Sequence, residues 1–262
     1  MSFTLHQGSA ALLVSLPHTG TEIPPELRQA FVPRALDLED TDWHLQRLYD
    51  FLPAMGASVL TPRYSRYVID LNRPSENTPM YPGTNNTELC PTRFFTGDPL
   101  YREGMAPDDA EIARRIRSYW QPYRDALEGE LIRLRQSHGH AVLFDAHSIR
   151  SQVPWLFEGS LPDLNLGTVN GNSTAPSLRA ALEQVLARQS RFSQVVDGRF
   201  KGGHITRHYG RPAESWHAIQ LEMCWSTYMA EQAPYVLDET RANQVRPLLQ
   251  QLVQTMLAWK PD

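Results

Sequence analysis

The chain has little cysteine, no long apolar run and no excess of positive charge. Two cysteines in 262 residues, Cys90 and Cys224, are too few for a disulfide framework, and no motif spacing links them. The first residues, MSFTLHQGSAALLVSLPH, lack a basic leader region, and their apolar stretch ALLVSL is too short to span a bilayer. A formal net charge of −4 gives no electrostatic footprint for nucleic acid. There is no linker or internal repeat to divide the chain. These absences leave a cytoplasmic globular protein without a membrane or nucleic-acid partner as the expectation. What is present is ordinary for that class, with 41% hydrophobic and 21% charged residues, except that 20 prolines imply many structured loops.

Strand-like and helix-like segments alternate. ALLVSLP (11–17) reads as a short buried strand stopped by Pro17. DTDWHLQRLYDFLPAM (40–55) has near-helical apolar spacing, with Asp40 or Thr41 as its N-cap. SVLTP (58–62) and RYVIDL (66–71) read as two strands across a turn. Residues 74–107 are rich in Pro, Gly, Asn and Thr and form a long loop, which its aromatics Tyr81, Phe94, Phe95 and Tyr101 should keep ordered. Residues 108–137 make the clearest helix, acidic at its start and basic near its end. AVLFDAHS (141–148) reads as a strand, followed by a loop over roughly 150–175 and a helix at SLRAALEQVLARQS. SQVVDGRF is a strand candidate leading into a loop through ITRHYGRP, HAIQLEMCW is a further strand, and TRANQVRPLLQQLVQTMLAW closes the chain as an amphipathic helix. The pattern predicts a single α/β domain over 1–262, with a central mixed, largely parallel sheet flanked by helices.

Polar groups collect at predicted strand ends and helix starts, where α/β proteins gather chemistry. His18 follows the first strand, Asp40 and Asp42 open a helix, Asn72 and Arg73 follow another strand, and Asp145 and His147 end the next. Glu222 lies in the apolar strand QLEMCW. Each has an ordinary explanation as a core histidine, a helix-start acid or a turn. Glu222 is the hardest to explain that way, because glutamate is seldom buried without a partner. Two histidines and a carboxylate are what a catalytic zinc needs, with a further carboxylate as general base.

The series PHTG, TDWHLQRLYDF, SRYVIDLNRP, YPGTNNTELCPT, DAHSIRS, GRFKGGHITRHYGRP and HAIQLEMCW resembles the N-formylglutamate amidohydrolase family from about residue 11 to 230. That family is similar in turn to the zinc carboxypeptidases and aspartoacylase. The resemblance implies a zinc-carboxypeptidase-like, phosphorylase/hydrolase-like fold and a metal-dependent amidohydrolase that cleaves N-formyl-L-glutamate to formate and L-glutamate in histidine breakdown. It implies one Zn2+ per chain, with His18 and His147 as its histidine ligands. It makes Glu222 the residue that activates water and Arg66 the one that polarises the scissile carbonyl. Asn72 and Arg73, in DLNR, would hold a substrate carboxylate. The relatives' carboxylate ligand comes in an H-x-x-E motif, and here Thr21 stands three residues after His18. We therefore expect Asp42 as the third ligand, with Glu22 second and Asp40 as a cap. Asp145 is expected to accept a ring N–H from His147.

A substrate with two carboxylates needs more than one cation. Arg207 or Arg211 are candidates for the second carboxylate, with Thr206 and Tyr209 as neutral donors and Gly202-Gly203 allowing close backbone approach. His204, His208 and His217 are expected to be structural, and Cys224 to pack in the core beside Glu222. A related hydrolase for another N-acyl amino acid or a peptide is the alternative activity, and a non-catalytic binding protein the alternative class. Cobalt, manganese or iron would also suit nitrogen and oxygen ligands.

Overall fold

The computed structural model describes residues 1–80, 83 and 85–261. Among them is one seven-stranded sheet formed by β1 (Phe3–His6), β2 (Leu12–Ser15), β3 (Ser58–Pro62), β4 (Ala141–Ile149), β5 (Leu164–Gly167), β6 (Gln194–Val196) and β7 (Trp216–Cys224), in the order β1-β3-β2-β4-β7-β5-β6. The centre, β3-β2-β4-β7, is parallel, while β1 and β5 run antiparallel to β3 and β7. The mixed, largely parallel α/β sheet expected from the sequence is therefore present.

Period-2 alternation sends successive strand residues to opposite faces, and both faces are covered. Leu12, Val14, Val142, Phe144, Ile219 and Leu221 pack with α5 (Pro176–Ala187) and α7 (Glu239–Ala258). Leu13, Leu143 and Ala218 pack on the other face with Tyr123, Leu127 and Leu131 of α4 (Gln121–His138). Asp145, His147, Gln220 and Glu222 alternate onto that second face. Strand β4 outlasts β2, whose pairing ends at Ser15↔Asp145, so His147 projects beyond it while still paired to Glu222 in β7. Two central strands of unequal reach thus create a notch in the sheet.

The predicted 108–137 helix is present but interrupted. Asp108 caps α3 (Asp109–Arg115) by accepting from the Glu111 amide at 2.8 Å, and a π turn over Ile116–Trp120 joins it to α4. Pro122 has no N–H, so the Ser118 carbonyl loses its usual helical donor at the turn.

Four other segments differ from expectation. The 40–55 segment is mostly turns around α2 (Leu45–Leu48), because a backbone bond from Asp42 N–H to the His18 carbonyl (3.0 Å) holds its start. RYVIDL is a series of buried turns, with Val68 N–H returning to the Ser65 carbonyl and Asp70 N–H bound to Leu89. Within the expected 150–175 loop, LNLG forms β5. ITRHYG contributes to α6 (His204–Tyr209) rather than a loop. A single-turn α1 (Pro25–Arg28) follows β2. Phe94, Phe95 and Tyr101 of the long loop are buried, as expected, while Tyr81 lies outside the described residues. No helix among the described residues is long and apolar enough to cross a membrane.

Candidate metal centre

His18 stands three residues past the end of β2, in a turn closed by Thr19 N–H on the Leu16 carbonyl. His147 stands on β4. Asp42 comes from the turn tied to His18 by the backbone bond noted above. All three are buried. His18 Nδ1 and His147 Nδ1 lie 3.2 Å apart, and Asp42 Oδ2 lies 3.1 Å from the second and 3.7 Å from the first. Among the described residues, this is the one group of His, Cys, Asp or Glu whose donor atoms converge as a metal would require, all within 4.8 Å of one another.

The far nitrogens of the two rings are held by other carboxylates. His18 Nε2–H donates to Asp70 Oδ1 at 2.7 Å, and His147 Nε2 lies 3.0 Å from Asp145 Oδ2 and 2.9 Å from Asn72 Nδ2. The Asp70 bond fixes the His18 ring and the Asp145 and Asn72 contacts that of His147, so that each Nδ1 turns toward the common point, as in metal-binding imidazoles. Asp70 also takes Arg66 Nη2–H at 2.7 Å and the Asn72 amide at 2.8 Å. Asn72 in turn donates from Nδ2 to Asp145 and accepts the Ile205 amide on Oδ1. A cross-linked set of polar groups thus stands behind the three converging atoms.

The charges fit a cation. Burial lowers the pKa of His18, with Arg66 adding to that, so its ring is neutral and able to ligate. Burial would lower His147 as well, but Asp145 and Asp42 together raise it well above its ordinary value. The positive charge these carboxylates favour at His147 is the kind a divalent ion would supply there. The N2O donor set matches a catalytic zinc site with a position left for a reactant.

Glu222 sits beside His147 in register, and burial pushes its carboxyl up to about 8, with His147 opposing and Asp42 adding. Gln220 takes the Gly203 amide on Oε1 at 2.6 Å, which directs its Nε2–H toward Glu222 Oε2 at 3.4 Å. Arg66 reaches toward His18 Nδ1 with Nη1 (3.3 Å), and its guanidinium lies 4.5 Å from the centre of the Phe95 ring. Phe95, Leu156 and Phe200 supply apolar walls to the cleft over the three donors, and Arg66, Arg73, Gln220 and Glu222 supply its polar lining.

The remaining expected residues fall in different places. Asn72 lines the cleft, and its carboxamide contacts Asp145, His147 and Ile205, which braces the site. Arg73 lines the cleft too, steadied by the Thr87 carbonyl (3.1 Å) and hydroxyl (3.0 Å). The α6 candidates do not reach it. Thr206 is buried with its hydroxyl 3.5 Å from Asp145, Tyr209 packs against Arg124, and Arg207 donates to the Gly202 carbonyl. Arg211 lies 4.5 Å from the Trp216 ring, at the end of β7 remote from Glu222. For the three on α6 the cause is the helix itself, which turns these side chains away where a loop could have presented them.

Glu22 pairs with Arg63 at 2.8 Å with half its side chain exposed, apart from the cluster. Asp40 is not a helix cap. It is buried and accepts from Tyr67 Oη (2.8 Å) and the Phe95 amide (3.0 Å), which seats Phe95 over the cleft. His217 accepts the Ala175 amide, and His204 and His208 lie on α6 outside the donor cluster. Cys224 is buried against the Pro162 carbonyl. Asp70 and Gln220 were not anticipated. Asp70 had a signal in sequence, a carboxylate inside an apolar run four residues after an arginine.

Residues 10–229 match the family model described as N-formylglutamate amidohydrolase. A protein from Pseudomonas putida named N-formylglutamate deformylase is 50% identical over 256 residues, covering 98% of this chain and 96% of its own. One of the same name from Pseudomonas aeruginosa is 51% identical over 253 residues, covering 97% and 95%. The crystal structure of an N-formylglutamate amidohydrolase from Ralstonia eutropha superposes with a TM-score of 0.83 at 24% identity, over 97% of each chain, and supports the fold. On the family match and these near full-length relatives, the chain belongs to the N-formylglutamate amidohydrolase family.

Proposed function

We propose that the chain hydrolyses the formyl amide of N-formyl-L-glutamate to formate and L-glutamate, using a divalent cation, zinc by its donor set, on His18, Asp42 and His147. The observation that carries this reading is the deformylase name borne by two relatives half-identical to it along almost their whole lengths. The resemblance also suggests a role in histidine breakdown in the cytoplasm.

The chemistry follows from the side chains. When bound, the cation would supply Lewis acidity toward the formyl oxygen and make the attacking water more acidic. Glu222 takes a proton from that water as its oxygen bonds to the formyl carbon. A carboxyl whose pKa lies near the working pH suits both this step and the next. The Arg66 guanidinium, fixed by Asp70, stabilises the negative charge that develops on the formyl oxygen. The carbon–nitrogen bond then breaks, and Glu222 returns its proton to the departing amine. Phe95, Leu156 and Phe200 keep bulk water from the reacting atoms. Arg73 takes a substrate carboxylate at the cleft, so the anionic substrate meets two arginines there.

Formate release from N-formyl-L-glutamate, measured before and after a chelator and again with zinc restored, tests the reading. Activity lost on stripping and regained with zinc is the expected result. Activity that survives complete metal removal would refute the metal role and leave the substrate standing. Metal-loaded protein that releases no formate but cleaves N-acetyl amino acids would move the assignment to another N-acyl substrate.

A further inference from the structure

Arg124, on α4, is 3% exposed, yet its Nε and Nη1 have no hydrogen-bond partner among the described residues. Other buried arginines are better supplied. Arg66 pairs with Asp70, and Arg115 pairs with Glu111 and donates to the Val68 carbonyl and the Tyr101 hydroxyl. Arg124 instead lies against rings, 4.4 Å from the centre of Tyr209 and 5.2 Å from that of Trp120. A buried cation held this way is costly unless a countercharge acts on it.

Asp145 is the complementary group. Its Oδ2 is crowded by Asn72, His147 and Thr206, while its buried Oδ1 has no partner. It lies on the sheet face that α4 covers, next to Ser15, whose hydroxyl meets that of Tyr123 at 3.0 Å. Tyr123 immediately precedes Arg124. Helix α6 bridges the two charges, with Thr206 toward Asp145 and, one turn on, Tyr209 against Arg124. Burial lowers the pKa of Arg124 from its ordinary value, with Tyr209 and then Asp145 opposing.

We infer that Arg124 is a positioning residue, whose charge holds the Asp145 carboxylate in the orientation that sets its Oδ2 3.0 Å from His147 Nε2 and so aims His147 Nδ1 at the cation. This rests on the reading of His18, Asp42 and His147 as a metal centre. It extends the support of that centre from the sheet to the helix layer.

The test uses the full chain as wild type, Arg124→Met, Arg124→Lys, Asp145→Asn and the double variant Arg124→Met/Asp145→Asn. Zinc affinity is read by chelator competition, and the His147 Nε2 resonance by NMR on metal-free protein. Arg124→Met should bind zinc about tenfold more weakly or worse and shift that resonance, as loss of an outer partner of a metal ligand does. Arg124→Lys should recover part of both. The double variant should be no weaker than Asp145→Asn alone, because groups acting through one another are not additive. Wild-type affinity and an unmoved resonance in Arg124→Met would overturn the inference, and so would losses that multiply in the double variant. If Arg124→Met fails to fold, Arg124→Gln is read in the same way. Wild-type protein that binds no zinc would instead defeat the metal reading, and the resonance would still decide whether Arg124 acts on His147.

Discussion

His147 and Glu222 stand on paired strands, whereas His18, Asp42, Arg66 and Asp70 stand on turns, and different forces hold the two halves. In the strand half, the β4–β7 ladder fixes positions residue by residue, with Asp145 beside Gln220 and His147 beside Glu222. In the turn half, side chains hold the backbone. Asp70 alone binds His18, Arg66 and the Asn72 amide, while Asp40 ties Tyr67 to Phe95. A ladder tolerates the loss of one side chain, but a turn built around a carboxylate does not.

The largest effect expected tests the strand half for chemistry without collapse. Glu222→Gln keeps the volume and removes the proton acceptor, so kcat should fall by about 10²–10⁴-fold. Zinc affinity by chelator competition should change little, since Glu222 is not among the converging donors. A parallel loss of zinc would make Glu222 a part of the metal support instead.

Asp70→Asn against Asp145→Asn breaks the comparison directly. Each removes a carboxylate behind one histidine, and each should weaken zinc by about 10–100-fold. Asp70 also pairs directly with the buried Arg66 at 2.7 Å, whereas Asp145 acts on Arg124 without a direct ion pair, so Asp70→Asn should cost about 3–5 kcal/mol of unfolding free energy in urea titrations. Asp145→Asn should cost clearly less. The pH dependence separates them further. His18 and Arg66 hold the Asp70 carboxyl well below its ordinary value against the effect of burial. Its stabilisation is therefore present above the unfolded pKa and lost as pH falls through the folded one. Asp70→Asn should flatten that acid limb. Equal costs for the two variants would show that the turns are no more dependent on side chains than the strands.

The same division explains what was legible in the sequence. VLF before DAHS and HAIQLEMCW carried the apolar continuity of doubly covered strands, so β4 and β7 stood out with the residues they present. RYVIDL has the same composition, rich in aromatic and β-branched residues, and reads as a strand for that reason. Its turns depend on tertiary partners, such as the Leu89 carbonyl from a distant loop, which no local pattern encodes. The 40–55 segment had helical spacing, but the tie from Asp42 to His18 prevails over it. Strand β5 was hidden because LNLG is only four residues long among Pro, Asn and Gly. Flanking glycines and a proline made α6 look like a loop, and three proposed substrate contacts, Thr206, Arg207 and Tyr209, were assigned there. The histidines and Glu222 were picked out through motif order, which does not depend on secondary structure, whereas Asp42 was chosen as the start of a helix where turns stand instead.

Two variants of intermediate effect probe the cleft mouth and the opposite end of the sheet. Arg73→Ala should raise KM by roughly 10–100-fold, the worth of about one charge-assisted hydrogen bond to a carboxylate. An unchanged KM would remove Arg73 from substrate binding. At the far end of β7, burial lowers the pKa of His217 to about 4, with His140 contributing. The unfolded chain therefore takes up a proton between about pH 6.5 and 4 that the folded chain refuses, and stability falls as pH drops through that window. His217→Gln should reduce that slope in urea titrations while leaving zinc affinity as it was.

The smallest effect expected is the sharpest check on the geometry. Arg211 carries the same charge as Arg73 and was equally eligible as a clamp for the second carboxylate. The structure sets it against Trp216, with Glu214 3.4 Å away, at the opposite end of β7 from Glu222. Arg211→Ala should therefore change KM by less than about twofold, because an exposed pair of this kind contributes little and touches nothing that binds substrate. Lengthening the distinction, Arg211→Ala combined with Arg73→Ala should show only the Arg73 effect. A KM rise for Arg211→Ala comparable to that of Arg73→Ala would mean that α6 and the segment after it swing toward the cleft when substrate binds. The turn half of the site would then extend to residues that the sheet holds apart.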